Sequence, residues 1–442
     1  MPLEIYNTLT KKKEEFKPLE KKEVRIYVCG PTVNDVPHLG HARQQISFDI
    51  LRKYLKFLGY KVKFVSNVTD IEDKIINKAN EKGISIKKLT EENLKAHMED
   101  YAAIGVDKPD VQPFATRYVD EMIDLVKRLV EKDYAYVIKD DGVYFNVTKF
   151  KGYGKLSGQK IEKLKSGARI KVKEEKKNKH DFVLWKFSKE GEPYWESPWG
   201  DGRPGWHIEC SAMSHAILGL PFDIHGGGQD LIFPHHEDEI AQSEAGYGTQ
   251  FVKYWMHNGM VNVDNVKMSK SLGNFKTIRD LLKKYSGEVI RYFVISNHYR
   301  KPLDFSSKTL ENAKNSYERL KNICEEIEED KKVNEEYLKE FEDSMNDDLN
   351  TAQSLQVIWK LVRDKKALGK YRTIKKIDEV FCLKLLEKEK VKVPHEIKKL
   401  IREREKAREE KNWDKADELR DEIKKKGFEV LDGKDGWEVR KL

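Results

Sequence analysis

The 442-residue chain has few cysteines and no long hydrophobic run. Its four cysteines, at positions 29, 210, 324 and 382, include no C-x-x-C pair, which argues against a local zinc finger or a dithiol redox motif. We expect four reduced thiols. No apolar segment approaches the ~20 residues that a membrane span requires. Residues 1–23 are polar and lysine-rich, unlike a secretory signal, so we expect a cytoplasmic protein without a membrane partner.

The charge of the chain is unevenly distributed. The net charge is +8, and residues 151–180 hold eleven Lys/Arg against three Glu. A basic segment of this kind suits a polyanionic partner, and a solvated lysine-rich loop is the alternative. The length itself indicates two to four domains.

The order of hydrophobic patterns predicts an α/β fold. Residues 24–28 alternate as in a strand, apolar residues from 40 to 58 recur at helical spacing, and residues 62–65 resume a strand pattern. A βαβ unit of this kind indicates a parallel sheet. We predict a Rossmann-type parallel-sheet domain at 1–114 and 206–280, interrupted by an inserted subdomain at 115–205.

The second half of the chain is predicted to be mainly helical. Residues 281–310 form a linker region and 311–390 an α-helical bundle. Two charged helices and a hairpin around the sequence DGKDG then predict a small C-terminal α/β module at 391–442.

Two short motifs suggest the chemistry. His38-Leu39-Gly40-His41 falls at a predicted strand-to-helix junction, where a helix N-terminus attracts anions and imidazoles can donate to phosphate oxygens. Lys267-Met268-Ser269-Lys270-Ser271 places two ammonium groups in a polar loop, which suits phosphates. Taken singly, the motifs could be a helix start and a basic surface turn. Together they favour ATP-dependent activation of a carboxylate.

These motifs resemble the two signatures of class I aminoacyl-tRNA synthetases. Further segments are similar to the cysteinyl-tRNA synthetases within that class, and the likeness extends from about residue 3 to about residue 440. The segments are 29–33 (CGPTV), 69–74 (TDIEDK), 181–186 (DFVLWK), 205–213 (GWHIECSAM) and 225–237 (HGGGQDLIFPHHE). Leu39 departs from the isoleucine of many relatives. This is a small apolar exchange, and it does not affect the match of the two histidines to the motif.

The resemblance implies one Zn²⁺ per chain, held by Cys29, Cys210, His235 and Glu239. Spacing alone favours unrelated buried thiols, because the four residues lie in distant segments. Thiolate, imidazole and carboxylate are nevertheless ligands that zinc accepts. His236 is the neighbouring alternative to His235, and spacing also leaves Asp238 open to the role.

The resemblance further implies a cysteine-tRNA ligase, with partners L-cysteine, ATP with Mg²⁺, and tRNA-Cys. His38, His41, Lys267 and Lys270 are the expected catalytic and ATP-binding residues. Three further residues, Thr69, Trp206 and His225, are expected to bind substrate, and Asp230 is expected to contact ATP. Zinc would select the thiol of cysteine over the hydroxyl of serine without an editing domain.

The remaining parts are implied to read tRNA. The inserted subdomain would meet the acceptor end, the linker the stem, and the C-terminal module the anticodon. Trp413 and Trp437 would stack on bases or serve as core aromatics. We expect a monomer. The alternatives are a ligase that joins activated cysteine to an amino sugar, and a non-catalytic RNA-binding protein.

Overall fold

The computed structural model describes residues 1–160, 175–268, 273–388, 394–433 and 436–441. The helices are α1 (Leu39–Phe57), α2 (Asp73–Lys82), α3 (Ile86–Ala103), α4 (Val119–Glu131), α5 (Trp206–Leu218), α6 (Glu237–Tyr247), α7 (Ile278–Leu282), α8 (Gly287–Ile295), α9 (Ser307–Glu325), α10 (Glu335–Asn346), α11 (Thr351–Arg363), α12 (Lys370–Phe381), α13 (His395–Glu409) and α14 (Trp413–Lys425). The strands are β1 (Glu4–Asn7), β2 (Lys12–Glu15), β3 (Glu23–Val28), β4 (Lys61–Ser66), β5 (Ala135–Ile138), β6 (Gly142–Phe145), β7 (Phe182–Phe187), β8 (Gly202–Pro204), β9 (Phe222–Gly228), β10 (Val252–Asn258), β11 (Val261–Val263), β12 (Val266–Lys267), β13 (Leu303–Phe305), β14 (Phe428–Gly433) and β15 (Gly436–Lys441).

A parallel sheet forms the centre of the first half, in the order β10-β9-β3-β4. The chain leaves β3 through α1 to reach β4 on one side, and leaves β9 through α6 to reach β10 on the other. The direction of winding therefore reverses between β3 and β9. A crevice opens at the carboxyl ends of strands at such a switch point, and ligands of open α/β sheets bind there.

Helix α1 follows directly from its sequence pattern. Ile46, Ile50 and Tyr54 recur at helical spacing and are fully or almost fully buried in the main core. The helix ends at Leu58, and Gly59 takes a left-handed conformation with φ of 88° just beyond it. The predicted α/β fold class is confirmed.

An antiparallel sheet, in the order β5-β6-β7-β8, interrupts the parallel domain along the chain. The buried side chains of Phe145, Leu184 and Trp185 pack in its core. Part of the predicted basic segment, residues 161–174, lies outside the described residues.

The remaining helices divide between two compact units, residues 1–386 and 387–442. Helices α9 to α12 belong to the first unit and bury apolar faces in its core. The second unit packs α13 and α14 with the β14–β15 hairpin around Ile397, Ile401, Ile423, Val430 and Val439. Among the described residues, no helix is both long and apolar enough to cross a membrane.

Candidate active site and metal centre

A cavity of about 470 Å³ opens at the switch point between β3 and β9. Its wall is built from the loop after β3, the start of α1, the end of β9 and the segment from β10 to β12. The lining residues include Cys29, His38, His41, Tyr101, Trp206, Asp230, Lys267 and Met268. Both signature motifs therefore contribute to one cavity, although more than two hundred residues separate them.

The two histidines of the HLGH motif have complementary roles at the start of α1. His38 is the N-cap residue, one position before the helix, whereas the sequence suggested that it begins the first turn. The Gly40 amide donates to His38 Nδ1 at 3.0 Å, and the His38 amide donates to His41 Nδ1 at 3.2 Å. Because both Nδ1 atoms accept, each neutral imidazole carries its proton on Nε2. The motif thus supplies two ring donors beside a helix N-terminus.

Gly40 is required by the closeness of the His38 ring. The rings of His38 and His41 stack with centroids 3.8 Å apart. A Cβ atom at position 40 would lie 2.8 Å from Cε1 of His38. Any larger residue would therefore displace the cap ring from its position.

Two residues of the KMSKS motif, Lys267 and Met268, contribute to the cavity lining. Lys267 ends β12 and Met268 follows it on the cavity surface, whereas Lys270 lies outside the described residues. The chain beyond the motif is fastened to the HLGH segment, since the Leu39 amide donates to the carbonyl of Lys276 at 2.9 Å and the Ile278 amide to that of Pro37 at 3.0 Å. Backbone bonds therefore hold the two motif segments together.

Four candidate metal ligands meet beside the same cavity. The ligand atoms of Cys29, Cys210, His235 and Glu239 all lie within 4.8 Å of one another, and all four residues are buried. Cys29 follows β3, Cys210 lies on α5, and Glu239 lies on α6. His235 lies in an irregular turn before α6, not on the helix as its spacing suggested, but its Nε2 atom is still 3.0 Å from Glu239 Oε1.

A second group shares two of these residues. The ligand atoms of Cys29, Glu239, His225 and His236 also lie within 4.8 Å of one another. The Nε2 atom of His236 lies 3.3 Å from Cys29 Sγ. The alternative of His236 therefore stays open on geometry. Asp238 is engaged elsewhere, because it accepts a hydrogen bond from the Tyr153 hydroxyl at 2.5 Å.

Hydrogen bonds and charge interactions couple the pKa values of the four side chains in the first group. Burial raises the pKa of Cys29 well above its usual value. Burial acts in the same direction on Cys210, but the hydrogen bond from Cys29 and the adjacent His235 lower its pKa to about 6. Despite burial, Glu239 and Cys210 raise the pKa of His235 to about 10, while His225 and His235 lower that of Glu239 to about 2. A cation bound here would displace the protons of Cys29 and His235, whereas Glu239 and Cys210 already favour their charged forms.

The donor set and its surroundings fit zinc. Two thiols, an imidazole and a carboxylate form a set that tetrahedral zinc sites use. Ligating histidines characteristically bond a partner through the second ring nitrogen. His235 Nδ1 meets His207 Nδ1 at 2.7 Å, and His225 Nε2 lies 2.7 Å from Glu239 Oε2. His207 and His225 therefore contact the two non-sulfur ligand candidates, His235 and Glu239, through second atoms.

The other predicted residues divide into two pairs. Trp206 and Asp230 line the cavity, and the Trp206 ring lies 4.4 Å from that of His235. Thr69 and His225 are buried and are not part of the described cavity lining. Thr69 donates to Glu209 Oε2 at 2.6 Å, and His225 Nε2 lies 2.7 Å from Glu239 Oε2.

Sequence reasoning missed several residues of the site. His207 contacts His235, the buried His257 contacts His236, and Tyr101 reaches the cavity from α3. His207 adjoins the predicted residue Trp206, which was a usable signal. Tyr101 had none, because nothing in its local sequence shows where α3 packs.

Comparisons with known proteins match this architecture. A family described as the tRNA synthetases class I (C) catalytic domain matches residues 15–315, the DALR domain matches 340–385, and the cysteinyl-tRNA ligase anticodon binding domain matches 391–440. Two relatives named cysteine–tRNA ligase, from Thermococcus onnurineus (strain NA1) and Thermococcus gammatolerans (strain DSM 15229 / JCM 11827 / EJ3), are 49% and 48% identical. Each match covers 99% of this chain and 98% of the relative.

Solved structures show the same fold at low identity. A Mycobacterium tuberculosis methionyl-tRNA synthetase in complex with methionyl-adenylate superposes with a TM-score of 0.59 at 14% identity, covering 83% of this chain and 90% of that one. A putative arginyl-tRNA synthetase from Campylobacter jejuni reaches a TM-score of 0.51 at 13% identity, covering 84% and 92%. Fold and cavity together define a class I aminoacyl-tRNA synthetase, a ligase. Within that class, the chain belongs to the cysteinyl-tRNA synthetase family.

Proposed function

We propose that this chain activates L-cysteine with ATP and transfers it to the 3′ end of tRNA-Cys. The observation that carries the proposal is the meeting of two kinds of chemistry at one cavity. His38, His41 and Lys267, the proposed phosphate-binding residues, line it, and so does Cys29 of the metal-ligand group. Such a cavity suits a carboxylate placed against the α-phosphate of ATP while the amino-acid side chain points toward the metal centre.

The first step is an in-line displacement. The cysteine carboxylate oxygen forms a bond to the α-phosphorus as the bond to the bridging oxygen breaks, releasing pyrophosphate with Mg²⁺. The Nε2–H groups of His38 and His41, with the ammonium groups of Lys267 and Lys270, would stabilise the charge that develops on the phosphates. Asp230 would contact the nucleotide from the end of β9.

The second step transfers the activated cysteine. A terminal ribose hydroxyl of the tRNA attacks the carbonyl carbon of cysteinyl-adenylate, the mixed anhydride bond breaks, and AMP leaves. The hydroxyl proton passes to the departing phosphate. Neither step requires a dedicated general base, so positioning and electrostatic stabilisation supply the catalysis.

Substrate selection is proposed to lie with Cys29, Cys210, His235 and Glu239. A zinc ion bound by them would supply a coordination site that takes the thiolate of cysteine and takes the hydroxyl of serine poorly. Trp206 would close the amino-acid pocket through its position beside His235. Thr69 would contribute from the second layer, through its bond to Glu209.

The other regions are proposed to bind the tRNA. The inserted subdomain would meet the acceptor end, residues 281–310 the stem, and the C-terminal unit the anticodon. Trp413 is 58% exposed at the first position of α14, so the interpretation of it as a mid-helix core residue is wrong. An exposed aromatic ring suits stacking on an unpaired base.

Cysteine-dependent ATP–pyrophosphate exchange, followed by aminoacylation of a tRNA-Cys transcript, tests the proposal. We expect both reactions, whereas exchange without charging of tRNA would favour a ligase that uses a small amine acceptor. Absence of exchange in zinc-replete protein would favour a non-catalytic RNA-binding protein. The match of residues 391–440 to an anticodon-binding family supports the tRNA acceptor.

A further inference from the structure

Helix α3 buries a row of polar side chains against the cavity wall. Asn93, His97 and Asp100 are almost fully buried, and Tyr101 lines the cavity. Their spacing of four, three and one residues places them on one side of the helix. Burial of polar groups is unfavourable unless each finds a partner, so their partners indicate what the row holds in place.

The first half of the row fastens the loop that precedes the HLGH motif. Asn93 Nδ2 donates to the carbonyl of Val33 at 2.9 Å. His97 Nε2 donates to the carbonyl of Asp35 at 2.9 Å, and His97 Nδ1 lies 3.0 Å from the Tyr101 hydroxyl. Val33 and Asp35 belong to the six residues that connect Pro31 with His38, so α3 anchors this connection at two points.

The hydrogen bonds of His97 fix its tautomer. A backbone carbonyl only accepts, so Nε2 carries the proton and Nδ1 accepts the proton of the Tyr101 hydroxyl. Burial lowers the pKa of His97 to about 4, which keeps the ring neutral near pH 7. The His97 ring also lies 5.4 Å from the ring of His41, between centroids. The same imidazole therefore orders a loop, a cavity-lining tyrosine and one face of a phosphate-binding histidine.

The second half of the row reaches the chain that follows the KMSKS motif. Asp100 pairs with Arg279 on α7, with Oδ1 3.2 Å from Nη2 and Oδ2 3.3 Å from Nε. Thr277, two residues before Arg279, forms a β-bridge with His38. One face of α3 thus contacts both the loop that precedes the HLGH motif and the chain that follows the KMSKS motif.

We propose that His97 is a positioning residue for ATP, the centre of a brace on α3 that holds the loop before the HLGH motif and the chain that follows the KMSKS motif. The inference rests on the proposed function of this cavity in binding ATP. Such a brace acts on the phosphate side of the cavity, since the metal-ligand candidates lie directly after β3, on α5, in the turn before α6 and on α6, and none of them contacts Asn93, His97 or Asp100 through the hydrogen bonds above. It therefore predicts an effect on ATP that a general loss of folding would not produce.

The test compares two substitutions at one position with a matched control. His97→Leu removes both hydrogen bonds, whereas His97→Gln retains one N–H donor and one carbonyl acceptor. Lys95→Leu, on the exposed face of the same helix, controls for the introduction of leucine. Each full-length variant is examined for thermal unfolding, for ATP affinity by calorimetry, and for kcat and KM in cysteine-dependent pyrophosphate exchange.

We expect His97→Leu to lower kcat/KM for ATP about tenfold, because the loss of about one hydrogen bond's stabilisation would misalign the groups that bind ATP. The KM for cysteine should stay within twofold, Lys95→Leu should match the unmodified protein, and His97→Gln should regain most of the loss. A folded His97→Leu variant with unchanged kcat/KM for ATP would overturn the inference. Equal losses in both His97 variants would overturn it as well.

Two further measurements distinguish failure of this inference from misfolding of the variant and from failure of the proposed function. If His97→Leu does not fold, Asp100→Asn removes the other arm of the brace, and unchanged kcat/KM for ATP in that variant contradicts the inference. If the unmodified chain shows no exchange, the proposed function fails. ATP affinity then decides the inference alone: weaker binding in His97→Leu supports the brace, and equal binding excludes it.

Discussion

The Sγ atom of Cys29 lies 3.6 Å from the Sγ atom of Cys210, although 181 positions separate them in sequence. The contact joins the end of β3 to α5, two elements that the inserted antiparallel subdomain separates along the chain. Because Cys29 also lines the cavity that the HLGH and KMSKS segments share, this thiol pair connects the candidate metal centre to the candidate nucleotide site.

Replacing Cys210 with serine should abolish tight zinc binding. The change removes one of two soft sulfur donors and leaves a hydroxyl that binds zinc weakly. Elemental analysis of metal-replete protein should give one zinc per unmodified chain and much less in Cys210→Ser. Cys382→Ser is the matched control, since Cys382 is a partly exposed thiol that belongs to neither metal-ligand group. Full zinc retention in Cys210→Ser would remove Cys210 from the ligand set.

A His38→Asn substitution should separate capping from catalysis. Asparagine is a good N-cap residue, so α1 should keep its start and the melting temperature should change little. The Nε2–H donor is lost, and we expect cysteine-dependent exchange to fall roughly a hundredfold. Ser306→Asn at the N-cap of α9 provides a cap change far from the cavity motifs in sequence. Unaltered exchange in His38→Asn would contradict a phosphate-binding role for this histidine.

Stability should depend on pH through His97. Its pKa is about 4 in the folded chain, against 6.5 as its ordinary value, because burial disfavours the charged ring. The unfolded chain therefore binds the extra proton first, so the stabilising effect is complete above pH 6.5 and is lost as pH falls toward 4. Full loss corresponds to about 3 kcal/mol. In His97→Gln, chemical denaturation at intervals between pH 7 and 4.5 should show a correspondingly shallower decline; an unchanged decline would assign it to other groups.

Removal of the exposed Trp413 ring should weaken tRNA recognition and spare amino-acid activation. Base stacking on an aromatic side chain contributes about 1–3 kcal/mol, so Trp413→Ala should raise the KM for tRNA at least severalfold. Pyrophosphate exchange, which needs no tRNA, should stay unchanged. Leu368→Ala serves as a control at another strongly exposed apolar residue. Equal charging kinetics in Trp413→Ala would exclude the stacking role.

Local patterns predicted the elements of this fold, and their limits explain what was missed. The periodicity of residues 46–54 defines α1, and the strand–helix–strand order defines a parallel sheet, so the α/β class was predictable. The position of His38 at the N-cap was not predictable, because the N-cap residue and the first residue of a helix are neighbours in sequence and the hydrophobic pattern does not distinguish them. The turn that carries His235 lies outside helical geometry at Phe233, which i, i+4 spacing cannot reveal.

The parts of the site that the sequence did not predict depend on contacts between residues far apart in the chain. The resemblance named Cys29, Cys210, His235 and Glu239, whereas spacing alone favoured unrelated residues. Packing also places His225 Nε2 2.7 Å from Glu239 Oε2, a contact that the glycine-rich segment around His225 does not indicate. The contribution of α3 depends on which face of that helix meets the loop at residues 33–35, and only the tertiary arrangement determines this contact.

The most direct test of the account compares cysteine with serine in pyrophosphate exchange and in tRNA-Cys charging, using zinc-loaded and chelator-treated protein. The account predicts efficient activation and charging of cysteine with zinc. It predicts strong loss of both on zinc removal, and serine at least roughly a thousandfold poorer, as expected where a site pairs with a group that the competitor lacks. Comparable rates with serine, or full activity without zinc, would contradict a cavity in which phosphate-binding segments and a thiol-selecting metal centre act on one substrate.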